Sequence, residues 1–291
     1  MKKVIATDLD GTLFYPKKRI SMLANRTRLF LERYIEDGGK LLLVSGRNKY
    51  ITGQFLRKTG LPADFIGCNG SLVISNGEIV KAQPFDREKL KALLAAIRRD
   101  YNPPMVLLMS KRHNLVFTRN DVSHMTNVLY FVYEVTLGSY RDPWVRSDKV
   151  FYEEIETGDV YKVMILFGLT QKKILQAKEA NKVLRGKYQD AEFSWSDQFI
   201  EISPKGCSKK EGIEFYLDYN KIHRDNVLVV GDSGNDISMF EAWKENSFCM
   251  GHSRPEVQKH ATHIIKNFYD LESYVYPLEE NSVSPKRKKE K

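Results

Sequence analysis

The sequence predicts an α/β protein in which a mainly parallel sheet is interrupted by an inserted α+β segment. Short apolar runs alternate with helical segments over the first 68 residues, and the same alternation returns after residue 204. Between about residues 83 and 202 the strands instead alternate in polarity, as in an open antiparallel sheet. Polar clusters follow three of the apolar runs directly, which is where ligands bind in parallel sheets.

The first half of the predicted core has three buried strands, two helices and a hairpin. In chain order they are a strand over Val4–Thr7, a helix over 22–37 with Ser21 as N-cap, a strand over Leu41–Val44, a helix over Lys49–Lys58 and a strand over Phe65–Cys68. Asn76-Gly77 then separates two apolar runs, a pattern typical of a tight β-hairpin.

The inserted segment and the second half of the core follow. The insertion is predicted as a helix over Asp86–Arg99, a hairpin over Val106–Thr118, a helix over Val122–Val135, a strand over Val160–Phe167, a helix over Gln171–Arg185 and a strand over Phe193–Ile202. The core resumes with a helix over Lys209–Tyr219, a strand over Val227–Val230, a helix containing Ile237, Met239 and Phe240, and strands over Ser247–Met250 and His263–Ile265. We therefore assign residues 1–82 and 203–277 to the core, 83–202 to the insertion and 278–291 to a basic, disordered tail.

The composition is that of a folded globular protein, with 42% hydrophobic and 29% charged residues among 291. The longest clear apolar run, Val163–Phe167, is far too short to span a membrane, and acidic residues interrupt the N-terminal apolar stretch. Three widely spaced cysteines form neither a metal pattern nor a disulfide framework. These features predict a cytoplasmic protein.

The formal net charge is +9, and part of it lies in the terminal run Lys286–Lys289. Because no aromatic or helical element is interleaved with these basic residues, we expect no nucleic-acid partner. A small anionic substrate accounts for a basic surface equally well. We expect a monomer or a weak homo-oligomer.

Asp8 and Asp10 form the first polar cluster, directly after the first strand. Residues two apart on a strand face the same side, so the two carboxylates repel each other unless a cation lies between them. The other clusters are Ser45-Gly46-Arg47 after the second strand and Gly231–Asp236 after the fourth. Since all three strand ends meet at one edge of the sheet, four carboxylates converge there, those of Asp8, Asp10, Asp232 and Asp236. Oxygen ligands at this density favour Mg²⁺.

The order of these motifs resembles that of the haloacid dehalogenase-like (HAD) phosphohydrolases. D-L-D-G-T-L, then S-G-R, then a lysine segment, then G-D-S-G-N-D match the four motifs of that family. The large α+β insertion between the second and third motifs resembles the C2-type cap of the Cof-type subgroup (subclass IIB), which has a Rossmann-like core. The subgroup's lysine segment is similar to Glu201–Lys209, E-I-S-P-K-G-C-S-K, which nominates Lys209.

This resemblance implies a Mg²⁺-dependent phosphatase acting on small phosphomonoesters, such as sugar phosphates, through an aspartyl-phosphate. Asp8 is then the nucleophile, and Asp10 is the general acid and base, with its backbone carbonyl on the metal. Asp232 binds Mg²⁺ directly.

The remaining implied roles concern phosphate, substrate and the second metal shell. Ser45 and Gly46 would bind phosphate oxygens at a helix N-terminus, and Lys209 would offset the phosphate charge. Asp236 would support the metal, and Asn235 would orient the substrate or a ligand.

Several of these residues also have ordinary structural explanations. Lys205 or Lys210 could replace Lys209, and Asp236 could simply favour a helix N-terminus. Arg47 could be structural or bind phosphate, while Asn69-Gly70 could lie near substrate or only form a turn. Arg112 and His113, in the insertion, could meet substrate or occupy a solvated hairpin turn.

Two other functions fit the same scaffold. A phosphotransferase or phosphomutase would pass the phosphoryl group to a second sugar. A non-catalytic phosphate sensor would use the acidic crevice without turnover, although such a sensor has no need of Asp10 as acid and base.

Overall fold

The structure, a computed structural model, describes residues 4–16, 22–117, 142–168, 170–196 and 199–276. The described elements are β1 (Val4–Thr7), α1 (Asn25–Glu36), β2 (Lys40–Val44), α2 (Tyr50–Thr59), β3 (Asp64–Gly67), β4 (Leu72–Ser75), β5 (Glu78–Ala82), α3 (Arg87–Tyr101), β6 (Met105–Ser110), β7 (Leu115–Phe117), β8 (Trp144–Arg146), α4 (Asp148–Thr157), β9 (Val160–Leu166), α5 (Gln171–Lys187), β10 (Ala191–Ser196), β11 (Phe199–Pro204), α6 (Lys209–Tyr219), β12 (Val227–Gly231), α7 (Ile237–Ala242), β13 (Ser247–Met250), α8 (Pro255–Gln258), β14 (His263–Ile265) and α9 (Glu272–Val275).

The strands form two sheets. The first has the order β14-β13-β12-β1-β2-β3-β4-β5, parallel from β14 to β3 and antiparallel through the β4–β5 hairpin. The second has the order β10-β11-β9-β6-β7-β8 and is antiparallel except for the β7–β8 pair. We call the first sheet with its helices the core, and the second sheet with α3, α4 and α5 the cap. The α/β fold with a parallel-sheet core is thus confirmed.

Each unit has its own hydrophobic interior. Apolar clusters cover both faces of the parallel sheet, which explains why its strands are nearly continuous apolar runs. A third cluster packs the cap helices onto the cap sheet. A fourth joins Cys68 of the core to Met105, Leu107 and Tyr161 of the cap, so apolar contacts help to seat the cap on the core.

The structure corrects two predicted elements and adds others. Phe193–Ile202 is not one strand but parts of β10 and β11, which pair with Trp195 opposite Ile200. The sequence between Trp195 and Ile200 contains no glycine or proline, so it carries none of the usual signals that would have divided the predicted strand. The first helix starts at Asn25 after Ala24, too late for Ser21 to cap it. The strand β8 and the helix α4 were not predicted.

Other predictions lie outside the described residues. These are the helix over Val122–Val135, Ser21 itself and the tail over 278–291. The domain limits at 82/83 and 202/203 stay predictions. No helix among the described residues is both long and apolar enough to cross a bilayer.

Candidate active site

The polar loops after β1 and β12 meet because the two strands are neighbours in register. Thr7 pairs with Val230, and the N–H of Asp8 donates to the carbonyl of Val230 at 2.9 Å. The chain after Asp8 then forms a tight turn with Gly11 at φ +84°, where an added Cβ would collide with the Asp232 carboxylate. The Thr12 hydroxyl donates to Asp232 Oδ1 at 2.7 Å. Gly11 and Thr12 therefore allow the turn after β1 to pack against the Asp232 side chain.

Asp8, Asp232 and Asp236 form a cluster in which one carboxylate oxygen of each lies within 4.8 Å of the others. Burial raises the pKa of Asp8 well above its usual range, partly offset by Lys209 and reinforced by Asp236 and Asp232. Burial and the Asp236 charge raise the pKa of Asp232 to about 7. Crowded carboxylates with raised pKa values are the environment that a bound cation stabilises.

Lys209 bridges two members of this cluster. Its Nζ lies 2.7 Å from Asp8 Oδ1 and 2.6 Å from Asp236 Oδ1, and its side chain is fully buried. Burial opposes the positive charge, but Asp236 and Asp8 outweigh it and raise the pKa of Lys209 above its usual value. The exposed Lys205 pairs with Glu192, and the partly exposed Lys210 pairs with Glu211. Of the three lysines, the fold thus brings Lys209 to Asp8.

Asp236 has both oxygens occupied by protein donors. Oδ1 accepts from Lys209, and Oδ2 accepts the backbone N–H groups of Asp232 and Ser233, each at 2.9 Å. It is fully buried, so its carboxylate fixes the loop that carries Asp232.

Asp10 points its carboxylate elsewhere. Arg47 donates to both of its oxygens, with Nε 2.6 Å from Oδ2 and Nη2 2.9 Å from Oδ1. The same guanidinium reaches Asp142 of the cap at 3.0 Å. Three carboxylates therefore converge among the described residues, not the four expected, and any role of Asp10 on a metal falls to its backbone carbonyl.

Ser45 and Gly46 lie in the loop after β2. The buried Ser45 hydroxyl accepts from the backbone N–H of Arg47 at 3.1 Å. Because α2 begins at Tyr50 with Lys49 as its N-cap, Gly46 is not at the helix N-terminus, contrary to the prediction. Ser45 and Gly46 are therefore positioned by the loop after β2 and not by the N-terminus of α2.

The cap adds polar residues that sequence reasoning missed. Lys162 of β9 and Glu201 of β11 form a buried ion pair with Nζ 3.0 Å from Oε2. Glu201 also accepts from the side-chain amides of Asn69 at 2.6 Å and Asn235 at 3.2 Å. The sequence signal for these two residues was a single charged side chain within a mostly apolar strand, Lys162 in β9 and Glu201 in β11.

Arg112 and His113 have a different partner from the one considered. Both lie in the turn between β6 and β7 and contact the buried carboxylate of Glu154, Arg112 at 2.7 Å and His113 at 3.1 Å. These contacts anchor the hairpin to α4 within the cap.

A cavity of about 880 Å³ opens between cap and core and reaches Lys209, Asn69 and Asn235. Trp195 of β10 and Lys178 of α5 contribute to its cap wall. This volume is in the range of small-molecule sites.

Comparison with known proteins identifies the family. The sequence profile described as haloacid dehalogenase-like hydrolase matches residues 5–272. The chain belongs to this family. The Bacillus subtilis protein YkrA is 23% identical over 96% of this chain and 97% of its own length. The pyridoxal phosphate phosphatase YbhA of Escherichia coli is 25% identical, over 90% of this chain and 93% of its own.

A solved structure described as the HAD subclass IIB sugar phosphatase BT4131 superposes with a TM-score of 0.70 at 20% identity, covering 93% of this chain and 95% of that one. At this identity the likeness shows the fold alone. The family, together with relatives that are named as phosphatases, identifies this chain as a phosphoric monoester hydrolase. Members of the family generally use a divalent metal, and the Asp8–Asp232–Asp236 cluster is the described group that could hold one.

Proposed function

We propose that this chain is a Mg²⁺-dependent phosphatase that hydrolyses small phosphomonoesters through an aspartyl-phosphate on Asp8. The observation that carries the proposal is the contact of Lys209 Nζ with Asp8 at 2.7 Å, beside the buried Asp232 and Asp236. A carboxylate attacks a phosphate dianion only when nearby positive charge offsets their repulsion. Lys209 supplies one such charge.

The donor set fits Mg²⁺. The carboxylates of Asp8 and Asp232 and the backbone carbonyl of Asp10 would hold the ion, because hard oxygen ligands suit it. Asp236 would act through the backbone of Asp232 and through Lys209, since its oxygens already accept protein donors. When bound, the ion would offset the charge of the phosphate and of the attacking carboxylate.

The reaction then proceeds in two chemical steps, in which Asp8 and Asp10 have separate roles. Asp8 attacks phosphorus while the bond to the leaving oxygen breaks, and Asp10 donates a proton to that oxygen. Asp10 next takes a proton from a water molecule, whose oxygen bonds to phosphorus as the bond to Asp8 breaks. Ser45 and Gly46 bind the phosphate oxygens, and Asn235 orients the substrate. Arg47 fixes the orientation of Asp10 through its two-point contact.

We propose a small phosphorylated metabolite as substrate, with sugar phosphates as the first class to test. A cap seated over the strand ends excludes macromolecules and limits access of bulk water. Relatives named as phosphatases of pyridoxal phosphate and of 5-amino-6-(5-phospho-D-ribitylamino)uracil support a small, soluble leaving group.

The decisive experiment measures inorganic phosphate released from a panel of phosphomonoesters, with Mg²⁺ and with EDTA. We expect release with Mg²⁺, none with EDTA, and none from a folded Asp8→Asn variant. Absence of release from every substrate would reject the phosphatase. Phosphate recovered on an added sugar, and not in solution, would identify a transferase.

A further inference from the structure

The buried pair Lys162–Glu201 lies on the side of the cap sheet that faces the core. Glu201 of β11 is opposite Met164 of β9, and Lys162 is two residues from Met164, so all three share one face of the sheet. The side chains of Lys162 and Glu201 are 1% and 6% exposed. Placing two charges in such an environment is costly, and an apolar pair of similar volume would hold the two strands together at least as well.

What an apolar pair could not do is bond to the core loops. Lys162 Nζ donates to the carbonyl of Gly46 at 2.9 Å. Glu201 Oε2 accepts from Asn69 at 2.6 Å and from Asn235 at 3.2 Å. Two cap residues therefore contact the loops after β2, β3 and β12, two of which carry candidate substrate-binding residues.

The fit at Gly46 is close. A Cβ built on Gly46 would lie 2.5 Å from Lys162 Nζ and 3.2 Å from Asn69 Oδ1. A side chain at this position would displace the Lys162 ammonium group from its present place beside the backbone carbonyl. The contact is thus built into both the core loop and the cap strand.

We infer that Lys162 and Glu201 are positioning residues that couple the seating of the cap to the geometry of the phosphate-binding loops. With the cap seated, Lys162 fixes the Ser45–Gly46 loop, and Glu201 fixes Asn69 and Asn235. Neither residue is proposed to touch the reacting atoms. The inference rests on the proposed phosphatase function, which it deepens by giving the cap a part in assembling the site.

The test compares Lys162→Met, Glu201→Gln and the double variant. Lys162→Met leaves Glu201 buried without its cation and should lower both the stability and kcat/KM. The double variant has no unpaired buried charge, so its unfolding transition should return close to that of the wild type. Its kcat/KM should stay low by about 10²-fold, because misplacing a binding loop by about 1 Å has that effect.

Lys89→Met is the matched control. Lys89 of α3 is a cap lysine that pairs with Asp190, also in the cap, at 3.1 Å, and its side chain is 59% exposed. This change should alter kcat/KM less than twofold. A double variant that regains full kcat/KM along with its stability, or an equal loss in Lys89→Met, would overturn the inference.

Hydrogen exchange of the backbone amides gives a readout independent of turnover. Segments 44–49 and 68–71 should exchange faster in the double variant than in the wild type, and not in Lys89→Met. Unchanged exchange there would overturn the inference whatever the activity. Faster exchange in a chain that releases no phosphate would support the coupling while rejecting the phosphatase function.

Discussion

Lys205 and Lys209 are four positions apart in one segment, yet the fold gives them opposite surroundings. Lys209 is fully buried between Asp8 and Asp236, whereas the Lys205 side chain is 60% exposed beside Glu192. The same holds for Asp8 and Asp10, which are two residues apart. Asp8 contacts Lys209, and Asp10 contacts Arg47. At this scale the chemistry of a side chain depends on its partners more than on its type.

Replacing Lys209 with methionine should unfold the protein more easily and abolish phosphate release. The change leaves Asp8 and Asp236 buried without their shared cation, which costs about 3–5 kcal/mol for broken buried pairs. Urea unfolding and the phosphate-release assay measure the two effects.

Lys205→Met is the control, because it removes a lysine of the same segment from an exposed position. Its stability should change by no more than about 0.5 kcal/mol, as for surface substitutions generally, and its activity should be kept. Loss of activity in Lys205→Met with retention in Lys209→Met would contradict the assignment.

At the scale of elements, tight loops at the strand ends bring the site together. Gly70 has φ +99°, and a Cβ there would collide with the carbonyl of Ser208, the residue before Lys209. Gly77 in the β4–β5 hairpin has φ +83°, and a Cβ built there would have no neighbouring atom within 4 Å. The two glycines share the left-handed backbone but differ in what surrounds them.

Gly70→Ala should therefore cost more stability than Gly77→Ala. The left-handed conformation alone costs a side-chain-bearing residue about 1–2 kcal/mol, which both variants incur. Gly70→Ala also displaces the start of α6, so kcat should fall in that variant alone. Urea unfolding of the pair and their phosphate-release rates test this, and equal effects in both would show that the Ser208 contact does not matter.

At the scale of the whole molecule, core and cap are joined by both apolar and charged contacts. The cluster around Cys68 supplies the apolar contacts. The Asn48 side chain of the core adds a neutral hydrogen bond to the carbonyl of Ser110 in the cap at 2.9 Å. The Lys162–Glu201 pair adds charged contacts from the cap to the core. Burial opposes ionisation of Glu201, but Lys162 and the bonds from Asn69 and Asn235 outweigh it and lower its pKa below the ordinary 4.5.

This shift predicts an acid-dependent loss of stability that Glu201→Gln removes. Because the folded pKa lies below the unfolded one, ionised Glu201 contributes stability above pH 4.5, and the contribution disappears as pH falls through the folded pKa. The stability difference between the wild type and Glu201→Gln should be largest near neutral pH and shrink below pH 4.5. Denaturant unfolding at a series of pH values measures it, and a difference independent of pH would contradict the shift.

The sequence by itself determined the order of the core elements, since its buried strands are apolar runs with local signals at their ends. It also determined the family, because D-L-D-G-T-L, S-G-R and G-D-S-G-N-D are local motifs whose order is readable without coordinates. It misjudged β10 and β11, because no glycine or proline separates them in the sequence, and it missed α4.

Only the tertiary structure decided which side chains meet. Lys209 and Asp8 are 201 positions apart, and Lys162 and Gly46 are 116 apart. Long-range contacts of this kind follow from strand order and from the seating of the cap, for which a single sequence carries no local signal. For that reason the sequence indicated Asp8 and Asp10 as a pair, and the fold separated them by giving one Lys209 and the other Arg47 as its partner.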